Sequence, residues 1–296
     1  MIRVLQVVTN MDRGGLESML MNYYRHIDRE KIQFDFLVHR QERAAFDDEI
    51  ETLGGRIYRL PRLVPWSKSY LSALNRFFDE HTGYKVVHVH QDCLSSVILK
   101  AAQQHNIPVR IAHSHNTALR KSPLRWAKML LHRMGRRYLG RYATALWACS
   151  RNAASFLFSQ RDLTARGYTF IPNGIALSRF RFDPKQREAA RAELGCSDGV
   201  LIGNVGRLCY QKNQEFLLDI LPAILTREPR ARLLPAGEGA DEEKLRSRAA
   251  ALNIADRVIF YGVTGGVERL LWAMDVFAFP SRFEGLGIVA IEAQAA

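Results

Sequence analysis

The sequence predicts an α/β protein made of two tandem, Rossmann-like, doubly wound domains. Three observations predict it. Short apolar, β-branched runs alternate with amphipathic stretches along most of the chain. The alternation breaks once, in a polar, charged stretch over residues 178–197 that carries Pro184, and then restarts. The chain has 296 residues, the size at which single hydrophobic cores stop growing, roughly 250–300 residues.

Strands are expected at Ile2–Val8, Phe34–Val38, Arg56–Leu60, Val86–His90, Val109–His113, Ala145–Cys149 and Thr169–Ile171. Helical periodicity fills the gaps near Leu16–His26, Tyr70–Glu80, Leu94–Gln104, Leu124–Arg141 and Asn152–Ser159. Strand–helix alternation of this kind implies a parallel sheet with helices on both faces. A linker near Arg179–Lys185 separates a domain over 1–180 from one over 181–296. In the second domain strands are expected at Val200–Val205, Arg232–Pro235, Val258–Tyr261 and Val276–Ala278. Helices are expected there at Asn213–Leu225, Asp241–Leu252, Val267–Met274 and Leu286–Ala296. The last helix ends in Ala-Ile-Glu-Ala-Gln-Ala-Ala without a C-cap signal, so the chain reads as a fragment whose second sheet lacks its final strands.

Composition narrows the function classes. Hydrophobic residues make up 47% and charged residues 24%, which sets disorder aside. The four cysteines, Cys93, Cys149, Cys196 and Cys209, form no Cys-x-x-Cys pair and read as free thiols of a reducing compartment. The first apolar run, Val4–Val8, is too short for a signal peptide, and no stretch has the ~18 apolar residues that cross a bilayer. A cytoplasmic protein is expected, with any membrane contact peripheral. Net charge is 42 − 30 = +12, which points to anionic partners.

Ligands of open α/β sheets bind beyond the carboxyl ends of the strands, so the residues after each strand come first. The first strand runs into Asn10-Met-Asp-Arg-Gly14-Gly15-Leu-Glu17, a tight turn at a helix N-terminus, where free N–H groups attract phosphate. It is not the Gly-x-Gly-x-x-Gly dinucleotide fingerprint. Two His-x-His pairs follow, His88/His90 and His113/His115, and residues two apart on a strand share a face. Metal ligation, packing with hydrogen bonds, and contact with a sugar or acceptor all remain open for them, with His115 furthest out on its loop. In the second domain, Gly206-Arg207-Leu-Cys-Tyr-Gln-Lys212-Asn213 sets two cations five residues apart between a strand and a helix. Arginine binds phosphate bidentately and lysine as a point charge. Finally, Phe283-Glu284-Gly285-Leu286-Gly287-Ile288 opens a helix that carries Glu292, about two turns beyond Glu284.

Taken together, Gly14-Gly15-Leu16-Glu17, Pro172-Asn173-Gly174-Ile175, Gly206-Arg207-(x4)-Lys212-Asn213, Gly237-Glu238-Gly239 and the pair Glu284/Glu292 resemble the retaining GT-B glycosyltransferases of family 4, which build bacterial polysaccharides and glycolipids. The resemblance covers the whole chain. It implies a GT-B fold with two domains facing a cleft, and transfer of a sugar from a nucleotide diphosphate-sugar to a polysaccharide or glycolipid precursor with retention. By the same resemblance Arg207 and Lys212 hold the diphosphate, Glu284 contacts the donor sugar and Glu292 the ribose. The backbone of Leu286, Gly287 and Ile288 supports sugar or phosphate. Thr264 lies near the base, Gly15 lines the cleft, and His115 sits near the reacting sugar. UDP is the default base, and no metal or other cofactor is implied, the sequence having no Asp-x-Asp. A nucleotide-sugar epimerase of the same fold is the nearest alternative. More remote are a metal hydrolase built on the His-x-His pairs and a basic nucleic-acid module.

One segment stands apart. Arg120–Arg141 holds Arg120, Lys121, Arg125, Lys128, Arg133, Arg136, Arg137 and Arg141 and no acid. At helical spacing Leu124, Ala127, Leu130, Leu131, Met134 and Tyr138 form one face, with most cations opposite. Either that face packs on the core beneath a solvated basic face, or the helix docks on an anionic membrane, within reach of a lipid-linked acceptor. Nucleic acid is not the expected partner, because no binding motif is present.

Overall fold

The alternating runs fold as β/α units, and packing divides the chain into two units, residues 1–174 and 175–296. The computed structural model describes residues 1–119 and 125–296. In chain order the first unit holds β1 (Ile2–Val7), α1 (Gly15–His26), β2 (Ile32–Val38), α2 (Asp47–Thr52), β3 (Ile57–Arg59), α3 (Lys68–Glu80) and β4 (Val86–Val89). It continues with α4 (Ser95–Gln104), β5 (Val109–Ser114), α5 (Arg125–Tyr142), β6 (Ala145–Ala148), α6 (Arg151–Leu157), α7 (Gln160–Arg166) and β7 (Thr169–Phe170). All seven strands are parallel, in the order β3-β2-β1-β4-β5-β6-β7. The chain winds outward from β1 in both directions, so the topological switch point lies between β1 and β4.

Burial on both faces accounts for the apolar strands: Leu5, Val7, Val87, Val89 and Ala112 are fully buried on one face, and Phe36 and Ile111 are buried on the other. Helix α3 shows how a stripe is read. Tyr70, Leu74, Phe77 and Phe78 are spaced i, i+4, i+7 and i+8 and all face the core, while the Ser67 side chain caps the helix at the Tyr70 amide. Two short helices escape sequence reading. The six residues of α2 are too few to show a stripe. The expected helix Asn152–Ser159 stops at Leu157, because Phe158 is extended and Ser159 caps a new helix, α7.

In helix α5 the apolar face does not pack on the core. Leu130, Met134 and Tyr138 are 55%, 54% and 43% exposed, and Trp126 is 69% exposed. The inward side is instead His132, Gly135 and Leu139: His132 Nε2 bonds the Phe156 carbonyl, and Gly135 lies so close to the Cys93 carbonyl that a Cβ would sit 2.4 Å from its oxygen. Packing at a small residue and a polar anchor overrode the apolar face. Arg120, Lys121 and Leu124 lie outside the described residues.

The second unit holds α8 (Leu177–Phe180), α9 (Pro184–Glu193), β8 (Leu201–Val205), α10 (Gln214–Leu225), β9 (Arg232–Ala236), α11 (Glu242–Ala251), α12 (Val267–Ala273), β10 (Val276–Phe277) and α13 (Ile288–Ala295). Residues 179–185 belong to this unit, with Phe180 in its core and Asp183 capping α9 ahead of Pro184. Its sheet is parallel, β10-β8-β9, with the switch point between β8 and β10. The expected strand Val258–Tyr261 is not formed as a ladder. The segment runs beside β9, where Ile259 N bonds Leu233 O and Tyr261 N bonds Pro235 O, and only isolated bridges result. Asp275 ties the far end, binding Arg187, Arg191 (2.8 Å) and the Leu201 amide (2.7 Å).

In the first unit the Asp35 charge is fully buried. Asp35 on β2 accepts from Arg3 Nε at 2.6 Å, the Tyr84 hydroxyl at 2.6 Å and the Arg56 amide at 2.8 Å. Burial alone raises the Asp35 pKa, but the Arg3 guanidinium, the Tyr84 hydroxyl and the Arg56 amide outweigh it and hold it below the ordinary value. Its stabilisation is therefore complete above the unfolded pKa of ~3.9 and is lost as pH falls through the folded one. Asp35→Ala should destabilise the unit by about 3 kcal/mol at neutral pH, since it strands a partly buried Arg3. Urea unfolding of both proteins should show the gap closing below about pH 4.

Candidate functional site

Three loops meet at the carboxyl edge of the second sheet. Gly206, at φ +149°, ends β8, and the Lys212 side chain lies over it: a Cβ there would sit 3.1 Å from Lys212 Cε. The loop after β9 presses on the same backbone. Leu208 N bonds Glu238 O at 3.0 Å, and a Cβ on Gly239 would meet Leu208 O at 2.1 Å. From the other side comes the loop after β10. Arg282 N bonds Gln211 O at 2.8 Å, Gln211 Nε2 bonds Phe283 O at 3.1 Å, and Asn213 Nδ2 bonds Pro280 O at 3.2 Å. Asn213 adopts the left-handed conformation, φ 57°, and starts α10.

These loops fix a cation at the switch point. Lys212 Nζ lies 5.3 Å from the centre of the Phe279 ring and 2.8 Å from Glu284 Oε1, and the two side chains are only 17% and 21% exposed. Gly287, the N-cap of α13, packs on the same Phe279 ring, where a Cβ would come within 2.4 Å. Arg207 is exposed and has no ion-pair partner among the described residues; its carbonyl is held by Gln214 Nε2 at 3.1 Å. Arg207, Lys212, Glu284 and the run Leu286, Gly287 and Ile288 thus lie on loops stitched to one another or at the helix start those loops lead into.

Glu292 sits in a different environment. Burial pushes its carboxyl up to about 7, opposed by Arg179 and reinforced by Glu268. Near neutral pH it is therefore divided between protonated and ionised forms. Thr264 Oγ1 caps the Gly266 amide at 3.0 Å, and Thr264 lines a hollow with Leu194, Tyr261 and Arg269.

In the first unit the histidines gather behind the carboxyl ends of β4 and β5. His88 Nε2 lies 3.0 Å from His113 Nδ1, His90 Nδ1 lies 2.8 Å from His115 Nε2, and His90 Nε2 lies 3.1 Å from Gln6 Oε1. Trp147 packs edge-on against His88 at 4.9 Å. Candidate ligand atoms of His88, His90 and His113 all lie within 4.8 Å of one another, the trio among the described residues that could hold a metal ion. Of these rings, His88 and His113 are bonded to each other and His90 to His115 and Gln6, while the buried His113 Nε2 has no hydrogen-bond partner. Gly15 opens α1 with free space where a Cβ would be. Sequence reading missed Gln6 and Phe279. A glutamine inside the apolar run Val4-Leu-Gln-Val-Val8 was the available signal for the first. Burial lowers the pKa of all four histidines, to about 3 for His88 and for His115. The unfolded chain, with imidazoles near ~6.5, takes up protons first, so this stabilisation is complete above that pH and is lost below it. Stability should fall from about pH 6.5 towards 4, and urea unfolding of a His88→Gln/His113→Gln variant should fall less steeply across that window.

Residues 14–174 match the glycosyl transferase 4-like domain, and residues 186–296 match the glycosyl transferases group 1. Over 295 residues the chain is 36% identical to EpsF of Bacillus subtilis (strain 168), whose name assigns it to the glycosyltransferases, covering 99% of this chain and 77% of EpsF. It is 28% identical over 310 residues to the GDP-mannose-dependent alpha-(1-6)-phosphatidylinositol monomannoside mannosyltransferase of Mycobacterium tuberculosis, covering 100% of this chain and 79% of that protein. Among solved structures, Anabaena HepE in complex with UDP and glucose matches with a TM-score of 0.80 at 19% identity, over 100% of this chain and 78% of that one. The likeness places the fold in the GT-B class, and none of these relatives is named as a hydrolase or an epimerase. With both family domains matched in tandem and a 36% identical relative aligned along 99% of this chain, the chain belongs to the group 1 glycosyltransferases and is a glycosyl-transferring enzyme.

Proposed function

We propose that the enzyme takes a sugar from a nucleoside diphosphate and passes it, with retention of anomeric configuration, to a polysaccharide or glycolipid precursor. The observation that carries this is the Lys212 ammonium, held at the switch point of the second sheet between Phe279 and Glu284, with Arg207 on the same loop. Fixed cations beside helix starts suit a diphosphate leaving group, whose charge grows as the glycosidic bond breaks. Arg207 and Lys212 take the diphosphate, Glu284 accepts from donor-sugar hydroxyls, and the backbone at Leu286, Gly287 and Ile288 supports sugar or phosphate. Glu292 takes the ribose, and Thr264 borders the base. From the first unit, Gly15 and His115 act near the reacting sugar. The acceptor attacks on the face the leaving phosphate departs from, and its proton passes to a phosphate oxygen, so no protein nucleophile is needed. The two cations supply the charge a metal would otherwise bring. UDP is the first base to test, with HepE solved bound to UDP, and GDP the second, since the mycobacterial relative is GDP-mannose-dependent by name.

We further propose that α5 places the enzyme on an anionic membrane, the inner face of the cytoplasmic membrane, where a lipid-linked acceptor would lie. Trp126, Leu130, Met134 and Tyr138 form an exposed i, i+4 stripe flanked by Lys128, Arg133, Arg137 and Arg141.

Calorimetric titration of UDP, GDP and their sugars in EDTA should show one nucleotide binding. Arg207→Ala and Lys212→Ala should each weaken it by about tenfold or more, the loss of a charged hydrogen bond of ~1.5–3 kcal/mol. Glu284→Gln should separate the ligands, tightening the bare diphosphate by releasing Lys212 while weakening the nucleotide-sugar. A folded wild-type chain that binds neither base would sink the donor reading. For the membrane, sedimentation with anionic vesicles should weaken with salt, and Arg133→Ala/Arg137→Ala should lower binding roughly 30-fold, at ~1 kcal/mol per cation. Equal binding to neutral vesicles would refute it.

A further inference from the structure

Gln6 is a polar side chain where the fold has least use for one. It lies on β1 between Leu5 and Val7, both fully buried, and is itself 1% exposed. Such a group persists inside only when hydrogen-bonded. The partner is set by topology: β1 pairs with β4 across the switch point, Gln6 is in register with His88, and His90 N donates to Val7 O at 3.0 Å. This brings Gln6 Oε1 to His90 Nε2.

The bond has a consequence for protons two residues away. A carbonyl oxygen only accepts, so His90 Nε2 carries the hydrogen. A neutral imidazole has one N–H, which leaves His90 Nδ1 bare. Its neighbour at 2.8 Å is His115 Nε2, which must then donate, and His115 Nδ1 is left as a lone pair. The chain ends at His115, which is partly exposed, whereas His88, His90 and His113 are buried. The groups facing these rings are Gln6, Trp147 and one another, and burial keeps the imidazoles neutral.

We propose that Gln6 and His90 are positioning residues that hold His115 in one tautomer, with Nδ1 unprotonated, so that His115 meets a sugar hydroxyl as an acceptor. This rests on the reading of His115 as a residue of the reacting site. The hydroxyl keeps its proton, and His115 selects and orients it. A histidine held this way rejects a ligand that offers only an acceptor atom, so the relay sets which hydroxyl geometry is read.

The test reads the tautomer directly. Long-range 15N–1H correlation spectra of histidine-labelled protein, with the His115 signals assigned by His115→Gln, should show hydrogen on Nε2 and none on Nδ1. Gln6→Leu should blur that signature and lower kcat for sugar transfer roughly tenfold with little change in KM for the nucleotide-sugar. Gln6→Glu, which keeps an acceptor oxygen facing His90 Nε2, should restore both. Hydrogen on His115 Nδ1 in the wild type, or an unchanged signature in Gln6→Leu, would overturn the proposal. So would stoichiometric metal on His88, His90 and His113, which would claim the lone pair that His90 uses. If Gln6→Leu does not fold, the wild-type and Gln6→Glu spectra decide. The spectra need no donor, so failure of nucleotide binding and failure of the relay are told apart.

Discussion

The donor-side architecture depends on backbone meeting backbone without a Cβ between. Gly239 lies on the Leu208 carbonyl and Gly237, at φ +135°, on the Gly206 carbonyl, at separations no side chain tolerates. Those approaches hold the loop of Arg207 and Lys212 from the β9 side, while Asn213, Gln211 and Arg282 hold it from the β10 side. The loop is therefore fixed by main-chain geometry and not by its own charges. For the proposed reaction that matters, because a cation contributes most to a charged transition state when it is already in place and nothing has to reorganise.

Lys212 and Arg207 then play unequal parts. Lys212 is largely withdrawn from water, packs on the same Phe279 ring as Gly287, and is neutralised by Glu284. Removing one partner from such a site costs more than the pair gains by forming, since the remaining charge is left poorly solvated. Arg207 is solvated and unconstrained by ion pairs among the described residues, so it adds reach and bidentate geometry at little structural cost. An anion that enters meets one cation prepaired with a carboxylate and one free to close on it.

Much of this was legible in the sequence. The strand–helix alternation located both sheets, and the spacing of Arg207, Lys212 and Glu284 marked loops that the structure brings together. What stayed hidden has physical reasons. Val258–Tyr261 looks like a strand because it is apolar, yet pairing depends on a ladder that its own residues do not determine. The apolar stripe of α5 left core packing and membrane docking both open, because a helical pattern shows that a face exists and not which way it points; the small Gly135 and the bonded His132 turn the other side inward. Gln6 was passed over because a single polar residue in an apolar run carries no periodicity, and its meaning depends on β4 lying beside β1, a matter of topology.

The two units differ in the electrostatics at their switch points. The second unit concentrates cations at the switch point of its sheet, where a leaving phosphate would gather charge. At its own switch point the first unit has no cation among the described histidines: His88, His90, His113 and His115 are kept neutral by burial and by each other. If His115 meets the reacting sugar as proposed, a protonated imidazole would repel the positive charge that develops on that sugar, while a neutral acceptor orients hydroxyls without opposing it. Burying four histidines costs stability in mild acid, as the sign of their shifts requires. A fold concerned only with stability would have filled those positions with apolar side chains, so the neutral imidazoles call for another use, which the proposed contact of His115 with a sugar hydroxyl would supply.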